Sequence, residues 1–324
     1  MEESKTIERP GALSEVVGQV DIVARLRIVM AGARLRETRA PHVLLSGPPG
    51  TGKTTLARIV AAELGSKLYT TTGPAMRRVP DLAGALLSLG GTPEHPAVFF
   101  IDEIHRLPVA VEETLYEAME DQTVSVVAGS GGDARALSLP LDPLVIVGAT
   151  TRPGDLSEPL RDRFGFAATM APYSVEEIGQ IVLREWARFG VIGSPEAAAV
   201  VAQRAKGTPR TALHLAARVL DVHAIEETDL TPASVARSLD AFGINQDGLD
   251  ETDWRILTAL VTTFAGRPVG LDALAQALDT DVATIQRAHE GALVRSGLMI
   301  RTVSGRMATP EAHRMVAAAG ARAS

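Results

Sequence analysis

Cysteine is absent from the 324 residues, which excludes disulfides, thiolate metal sites and a cysteine nucleophile. A reducing compartment fits that absence. No apolar run approaches the ~20 residues that a bilayer-spanning helix needs, and the opening Met-Glu-Glu-Ser-Lys-Thr-Ile-Glu-Arg-Pro lacks the apolar core of a leader peptide. A cytoplasmic protein with no membrane contact is expected. Net positive charge is missing too: the formal charge of −7 argues against a whole-surface attraction to nucleic acid. Any DNA contact has to be local. After Gln286 the balance turns, because Arg287, Arg295, Arg301, Arg306, Arg314 and Arg322 face only Glu290 and Glu311. On charge alone, a solvated basic face is the simpler reading. No tandem repeat or low-complexity segment stands out.

Hydrophobic residues make up 46% and charged residues 22%, so core material is ample, and the length favours two or three domains. In the first half, apolar β-branched runs at residues 42–46, 67–71, 97–102, 144–150 and 166–170 alternate with helical patterns. Most of these runs are too uniformly apolar to be half-exposed. They predict an α/β doubly wound fold, a parallel sheet covered on both faces with ligands at the carboxyl ends of its strands. Two period-2 runs around a glycine-rich turn, at about 123–139, read as an inserted β-hairpin, either a partner contact or an ordinary solvated hairpin. From Pro172 strands almost vanish, and Ser194-Pro195 and Thr231-Pro232 mark helix starts. Past a Gly/Asn/Asp stretch at 242–249 come three helical segments and two short strands about Ser304-Gly305, a helix-turn-helix with a wing. The domains are placed at 1–171 (nucleotide-binding), 172–243 (helical lid) and 244–324 (winged helix).

Residues 47–54 read Gly-Pro-Pro-Gly-Thr-Gly-Lys-Thr, after the apolar run Val43-Leu44-Leu45 and before a helical stretch. This is a phosphate-binding loop in its required setting. Gly47, Gly50 and Gly52 allow the backbone to turn its N–H groups inward and let phosphate oxygens approach. Lys53 is placed for the β/γ-phosphates and the Thr54 hydroxyl for Mg²⁺, with the positive end of the next helix behind them. A nucleoside triphosphate ligand follows.

About fifty residues on, Val98-Phe-Phe-Ile-Asp102-Glu103 ends an apolar strand with two carboxylates. Asp102 suits the Mg²⁺ shell, and Glu103 suits the water that attacks the γ-phosphate. Gly148-Ala-Thr-Thr-Arg152 offers Thr150 and Thr151 as hydroxyl sensors at the next strand end. Pro159-Leu-Arg161-Asp-Arg163 offers two arginines, and a guanidinium at a γ-phosphate can come from a neighbouring subunit. Gly207-Thr-Pro-Arg210 opens a helix from which Arg210 could reach back to the phosphates. A surface salt bridge is the plainer role for either arginine.

These motifs, with Ile-Asp-Glu-Ile-His-Arg-Leu at 101–107, resemble AAA+ ATPases in order and spacing, and more narrowly the RuvB family of bacterial Holliday-junction motors. Arg9-Pro10, Val17-Gly18-Gln19, Gly248 to Glu251, Gly266 to Leu271 and Arg301 to Arg306 carry the narrower likeness. The resemblance implies an AAA+ P-loop domain, a helical lid and a winged helix, assembled as a hexameric ring that uses ATP and Mg²⁺. It implies that Lys53, Thr54 and Thr55 lie at the phosphates and metal, with Asp102 and Glu103 as the acidic pair. Thr150 or Thr151 would be the sensor, Arg163 a finger acting in the neighbouring subunit, and Arg210 the lid sensor. Arg9 and Tyr173 would flank the base and ribose, and Arg301 and Arg306 would touch the DNA of a four-way junction and its duplex arms. The hairpin would engage a RuvA-like junction-binding partner. The likeness departs at Leu89 to Pro96, a longer connector, at the small residues of the hairpin tip, and at Ser304 in the wing. The alternatives are a remodelling or clamp-loader-like AAA+ ATPase that does not move along DNA, and a nucleotide-switched DNA-binding regulator.

Overall fold

The computed structural model describes residues 10–128 and 135–323. Two compact units divide it, one through Ser174 and one from Val175. In the first, α1 (Val20–Leu35) leads into β1 (Val43–Ser46), followed by α2 (Lys53–Glu63), β2 (Leu68–Thr72), α3 (Val79–Leu87) and β3 (Ala97–Asp102). Then come α4 (Val109–Glu120), the strands β4 (Thr123–Ala128) and β5 (Arg135–Pro140), β6 (Leu144–Thr150), α5 (Glu158–Asp162) and β7 (Phe166–Thr169).

Five strands form one parallel sheet in the order β2-β3-β6-β1-β7. The three inner strands are buried almost throughout, as their unbroken apolar runs require, and a separate hydrophobic core lies on each face. The outer strands differ. β2, Leu-Tyr-Thr-Thr-Thr, has no fully buried residue, and β7 alternates buried with exposed. Register fixes the function: Ser46 pairs with Thr150, Ile101 with Gly148, and Thr72 with Asp102. The carboxyl ends of β1, β3 and β6 therefore finish at one level.

β4 and β5 pair antiparallel as a sheet of their own, the predicted hairpin, and its tip at 129–134 lies outside the described residues. One residue of α4 holds its base. The Glu117 carboxylate accepts from Thr123 Oγ1 at 2.9 Å, from Ser125 N at 3.1 Å and Oγ at 2.9 Å, and from Ser138 Oγ at 3.5 Å. The same helix is tied to the sheet by His42, whose Nδ1 accepts from Ile146 N at 2.9 Å while Nε2 lies 3.2 Å from the Met119 carbonyl. Burial pushes the His42 pKa down, which suits the neutral ring that this pair of contacts needs.

In the second unit, α6 (Val175–Arg188), α7 (Pro195–Arg204), α8 (Pro209–Glu226) and α9 (Pro232–Ala241) pack around the fully buried Trp186 and its neighbours. The cap-then-proline starts are realised. Ser194 Oγ accepts from Ala197 N, and Thr231 exchanges bonds with Ser234. The last segment holds α10 (Glu251–Thr258), α11 (Leu271–Leu278), α12 (Val282–Thr284), α13 (Gly291–Arg295), the antiparallel β8 (Met299–Thr302) and β9 (Gly305–Ala308), and α14 (Pro310–Ala323). A wide π turn continues α10 through Thr263 and another joins α12 to α13. At the wing, Gly305 is required: its φ is 137°, and a Cβ there would stand 2.3 Å from the Val269 carbonyl oxygen.

Within this unit a buried charge cluster ties the α7–α8 turn to the winged helix. Asp253, fully buried, pairs with the Lys206 ammonium and lies 2.9 Å from His289 Nδ1. Asp250, Asp253 and His289 could in principle ligate a cation, but Lys206 already supplies the positive charge. The hydrogen bond to Asp253 raises the His289 pKa above 6.5 despite burial. Burial pushes Asp253 up, yet hydrogen bonds from His289 and Lys206 hold it below its usual value. A raised histidine pKa stabilises the fold fully below the ordinary value and loses that contribution as pH rises through the folded one. Both tryptophans, Trp186 and Trp254, lie in this unit, so their fluorescence follows its unfolding. Stability should fall as pH rises from about 6.5, and His289→Ala should flatten that slope. An unchanged slope in the variant would assign the titration elsewhere.

Candidate nucleotide site and DNA-binding wing

The loop between β1 and α2 is anchored at its first residue. Gly47 N donates to the Thr150 carbonyl at 3.2 Å, and Met170 N donates to that of Ser46 at 2.8 Å, which fastens the loop to both neighbouring strands. Gly47 has φ 136°, and a Cβ on it would stand 2.5 Å from the Met170 carbonyl oxygen. No other residue fits. Gly50 (φ 79°) and Gly52 (φ 100°) hold left-handed backbone, and Gly52 caps α2. Lys53 is buried, and its ammonium donates to the Gly47 and Pro48 carbonyls at 2.8 Å each. Thr54 and Thr55 follow in the first turn, both half-buried. The cradle fits an anion: a left-handed glycine loop, a buried lysine and a helix N-terminus stand together.

Tyr173 reaches the same loop, its hydroxyl 3.6 Å from where a side chain on Gly52 would begin. Behind it, Gln19 bonds both ways with Ala171, Nε2 to the carbonyl at 2.7 Å and Oε1 from the amide at 3.3 Å. Val17-Gly18-Gln19 was legible as a motif, but its clamp on the residues before Tyr173 was not. Arg9 lies outside the described residues.

The acidic pair sits two strands away from the loop, across β6. Asp102 ends β3 and accepts from Glu103 N at 3.0 Å, and Glu103 takes left-handed backbone at φ 52°. Glu103 belongs to a network that spacing alone did not reveal. Thr151 Oγ1 lies 3.3 and 3.4 Å from its two carboxylate oxygens, and His105 Nε2 lies 3.4 Å from Oε2. His105 Nδ1 is 2.9 Å from Thr150 Oγ1, which also accepts from Arg152 N at 2.9 Å. Burial lowers the His105 pKa against the pull of Glu103, so the ring is neutral near pH 7. Thr150 is fully buried, its hydroxyl enclosed between His105 and the Arg152 amide.

The other expected groups make contacts of their own. Arg163 follows α5 and lies against α4: its guanidinium is 4.3 Å from the Tyr116 ring centroid, and Nη1 donates to the Pro159 carbonyl at 2.7 Å. Its Nε is 3.2 Å from Glu120 Oε1, an ion pair whose angle makes no hydrogen bond. Arg210 is exposed in the first turn of α8, in the other unit. Arg301 and Arg306, also in that unit, face each other across β8 and β9, as the wing predicted. Both are tied to one carboxylate. Fully buried Glu290 accepts from Arg301 Nε at 2.7 Å and from Arg306 Nε at 2.9 Å and Nη2 at 3.3 Å. Glu311 pairs with Arg314, so both acids of the basic stretch are matched and Arg287 and Arg295 remain exposed.

Family models decide the lineage. The Holliday junction DNA helicase RuvB P-loop domain matches residues 8–170, the RuvB AAA lid domain 173–245 and the RuvB C-terminal winged helix domain 246–317. The chain belongs to the RuvB family. It is 42% identical to the Holliday junction branch migration complex subunit RuvB of Pseudothermotoga lettingae over 302 residues, 93% of this chain and 87% of that one. Against the RuvB subunit of Mycobacterium avium it is 45% identical over 305 residues, 94% and 86% of the two chains. The Thermotoga maritima RuvB Holliday junction branch migration motor superposes with a TM-score of 0.83 at 38% identity, covering 95% of this chain and 98% of that structure. An AAA+ P-loop domain, a lid and a winged helix are the RuvB architecture, and this chain has it. Among the described residues no helix is long and apolar enough to cross a membrane.

Unequal exposure separates the wing's two arginines, 59% for Arg301 and 22% for Arg306. Arg306→Ala should lower the stability of the second unit by about 1–3 kcal/mol, because a buried carboxylate loses its two-pronged partner. Arg301→Ala should cost much less. Tryptophan-monitored denaturant unfolding compares them, and equal losses would mean that Glu290 does not discriminate between its partners.

Proposed function

We propose that this chain is an ATP-hydrolysing motor subunit that drives branch migration of Holliday junctions in recombination and repair. The observation that supports it is the meeting, at the level ends of β1, β3 and β6, of a phosphate cradle, two carboxylates and a hydroxyl within a RuvB-family chain. In this reading Lys53 and the loop amides bind the phosphates of ATP. Thr54 and Asp102 hold Mg²⁺, which supplies neutralisation of phosphate charge when bound. Glu103 orients and polarises the attacking water. Of the two threonines, Thr151 is the sensor in this reading, since its hydroxyl faces the Glu103 carboxylate, whereas that of Thr150 lies between His105 and the Arg152 amide. Tyr173 and Arg9 flank the base and ribose.

Hydrolysis then needs two chains, with Arg163 acting as a finger on its neighbour's γ-phosphate and Arg210 answering from the lid. A homo-oligomeric ring, hexameric, provides those interfaces. The hairpin docks a RuvA-like protein, and Arg301 and Arg306 hold duplex-arm phosphates, a sequence-independent contact that suits a motor acting on any junction. The cytoplasm is its compartment.

Purified wild type should hydrolyse ATP faster with DNA and, with the cognate RuvA, convert synthetic four-way junctions. Lys53→Ala should lose nucleotide binding. Glu103→Gln should bind nucleotide and lose at least ~100-fold in turnover, and Thr151→Val should lose turnover more than Thr150→Val loses it. Arg301→Ala should weaken binding equally across DNA sequences and reduce the log-log salt slope by about one. ATP hydrolysis indifferent to DNA, with no junction processing, would favour a remodelling ATPase.

A further inference from the structure

The side chain that carries Arg163 is held by a built platform. The guanidinium carbon lies over the Tyr116 ring, 4.3 Å from its centroid, well inside the ~6 Å range of cation–π attraction. The ring beneath it is fixed at its far end. Tyr116 Oη donates to Glu112 Oε1 and lies 2.9 Å from Ser157 Oγ, and Ser157 Oγ bonds the same Glu112 oxygen. Ser157 is the N-cap of α5, accepting from Leu160 N at 3.2 Å, and Arg163 is the residue that ends that helix. One hydrogen-bonded trio thus fixes both the start of the arginine's own helix and the plane on which the arginine rests. Glu120 adds little, being 56% exposed, a surface pair of small worth. Nη1 donates to the Pro159 carbonyl at 2.7 Å. With the side chain 23% exposed, the arginine is oriented rather than buried.

We infer that Tyr116 is a positioning residue for the reaction, acting through Arg163 on the active site of the adjacent subunit. This rests on the reading of Arg163 as a finger that acts in trans. A flat aromatic shelf restrains a guanidinium's tilt while leaving an edge for phosphate oxygens, and misplacing a charge by about 1 Å costs on the order of 10²-fold in rate. The sequence gives no hint of it, because Tyr116 stands 47 positions before Arg163 on a different helix.

The location of the defect supplies the test. Tyr116→Leu keeps apolar packing and removes the π face, so it should lower kcat about 10–100-fold with KM within about twofold. Tyr116→Phe keeps the face and should stay within about threefold of wild type. Leu variant subunits co-assembled with Glu103→Gln subunits should regain activity, as Arg163→Ala subunits should, because intact glutamate and intact finger meet at new interfaces. Mixed with Arg163→Ala subunits they should regain none, since both lesions lie on the same side of the interface. If Arg163→Ala fails to complement Glu103→Gln in verified mixed rings, the trans reading falls and this inference with it. If that pair complements while the Leu variant turns over normally, or is inactive and complements with neither partner, Arg163 stands and the role of Tyr116 is overturned.

Discussion

Parallel pairing of β3, β6 and β1 is the constraint on which this chain's chemistry depends. Strands of a parallel sheet all release their chains at the same edge, and here the register stops three of them level. Gly47, Asp102 and Thr150 are more than forty residues apart in sequence at each step, yet the strand that ends in Thr150 leaves the sheet between the other two. The unbroken apolar runs that bury these strands therefore also aim the polar groups at their ends. A slip in that register would remove hydroxyl and carboxylate from the phosphate loop together.

What could be seen in the sequence was whatever a local rule dictates. The phosphate loop was legible because its glycines answer a backbone demand, shown by the left-handed angles at 47, 50 and 52 and by the lack of room at Gly47. The inner strands were legible from unbroken hydrophobicity, and the cap-then-proline helix starts from their own chemistry. The edge strand β2 was legible as well, read at 67–71 and found at Leu68–Thr72, but its half-exposed place, where three threonines in a row sit, was not. Illegible altogether were partners brought in from afar: His105 between Glu103 and Thr150, Gln19 on Ala171, Tyr116 under Arg163. Such contacts follow from packing, for which no residue spacing is a proxy.

Charge in the second unit shows the same gap. Counting arginines after Gln286 gave a basic stretch, but Glu290 is buried between two of them, so the trio carries one net positive charge. A buried acid also keeps two long, flexible side chains in one arrangement, lowering the entropy that phosphate binding would otherwise have to remove. The wing's basic character is thus firmer in direction than composition alone implied.

Helix α4 has one more consequence. Glu117 grips both strands of the hairpin, and its sequence neighbour Tyr116 carries the arginine. Adjacent positions on an α-helix cannot move independently, because the backbone between them is stiff on the length scale of a residue. The base of the hairpin and the ring under the guanidinium are therefore held by consecutive residues of one helix, so that a displacement of α4 carries both together.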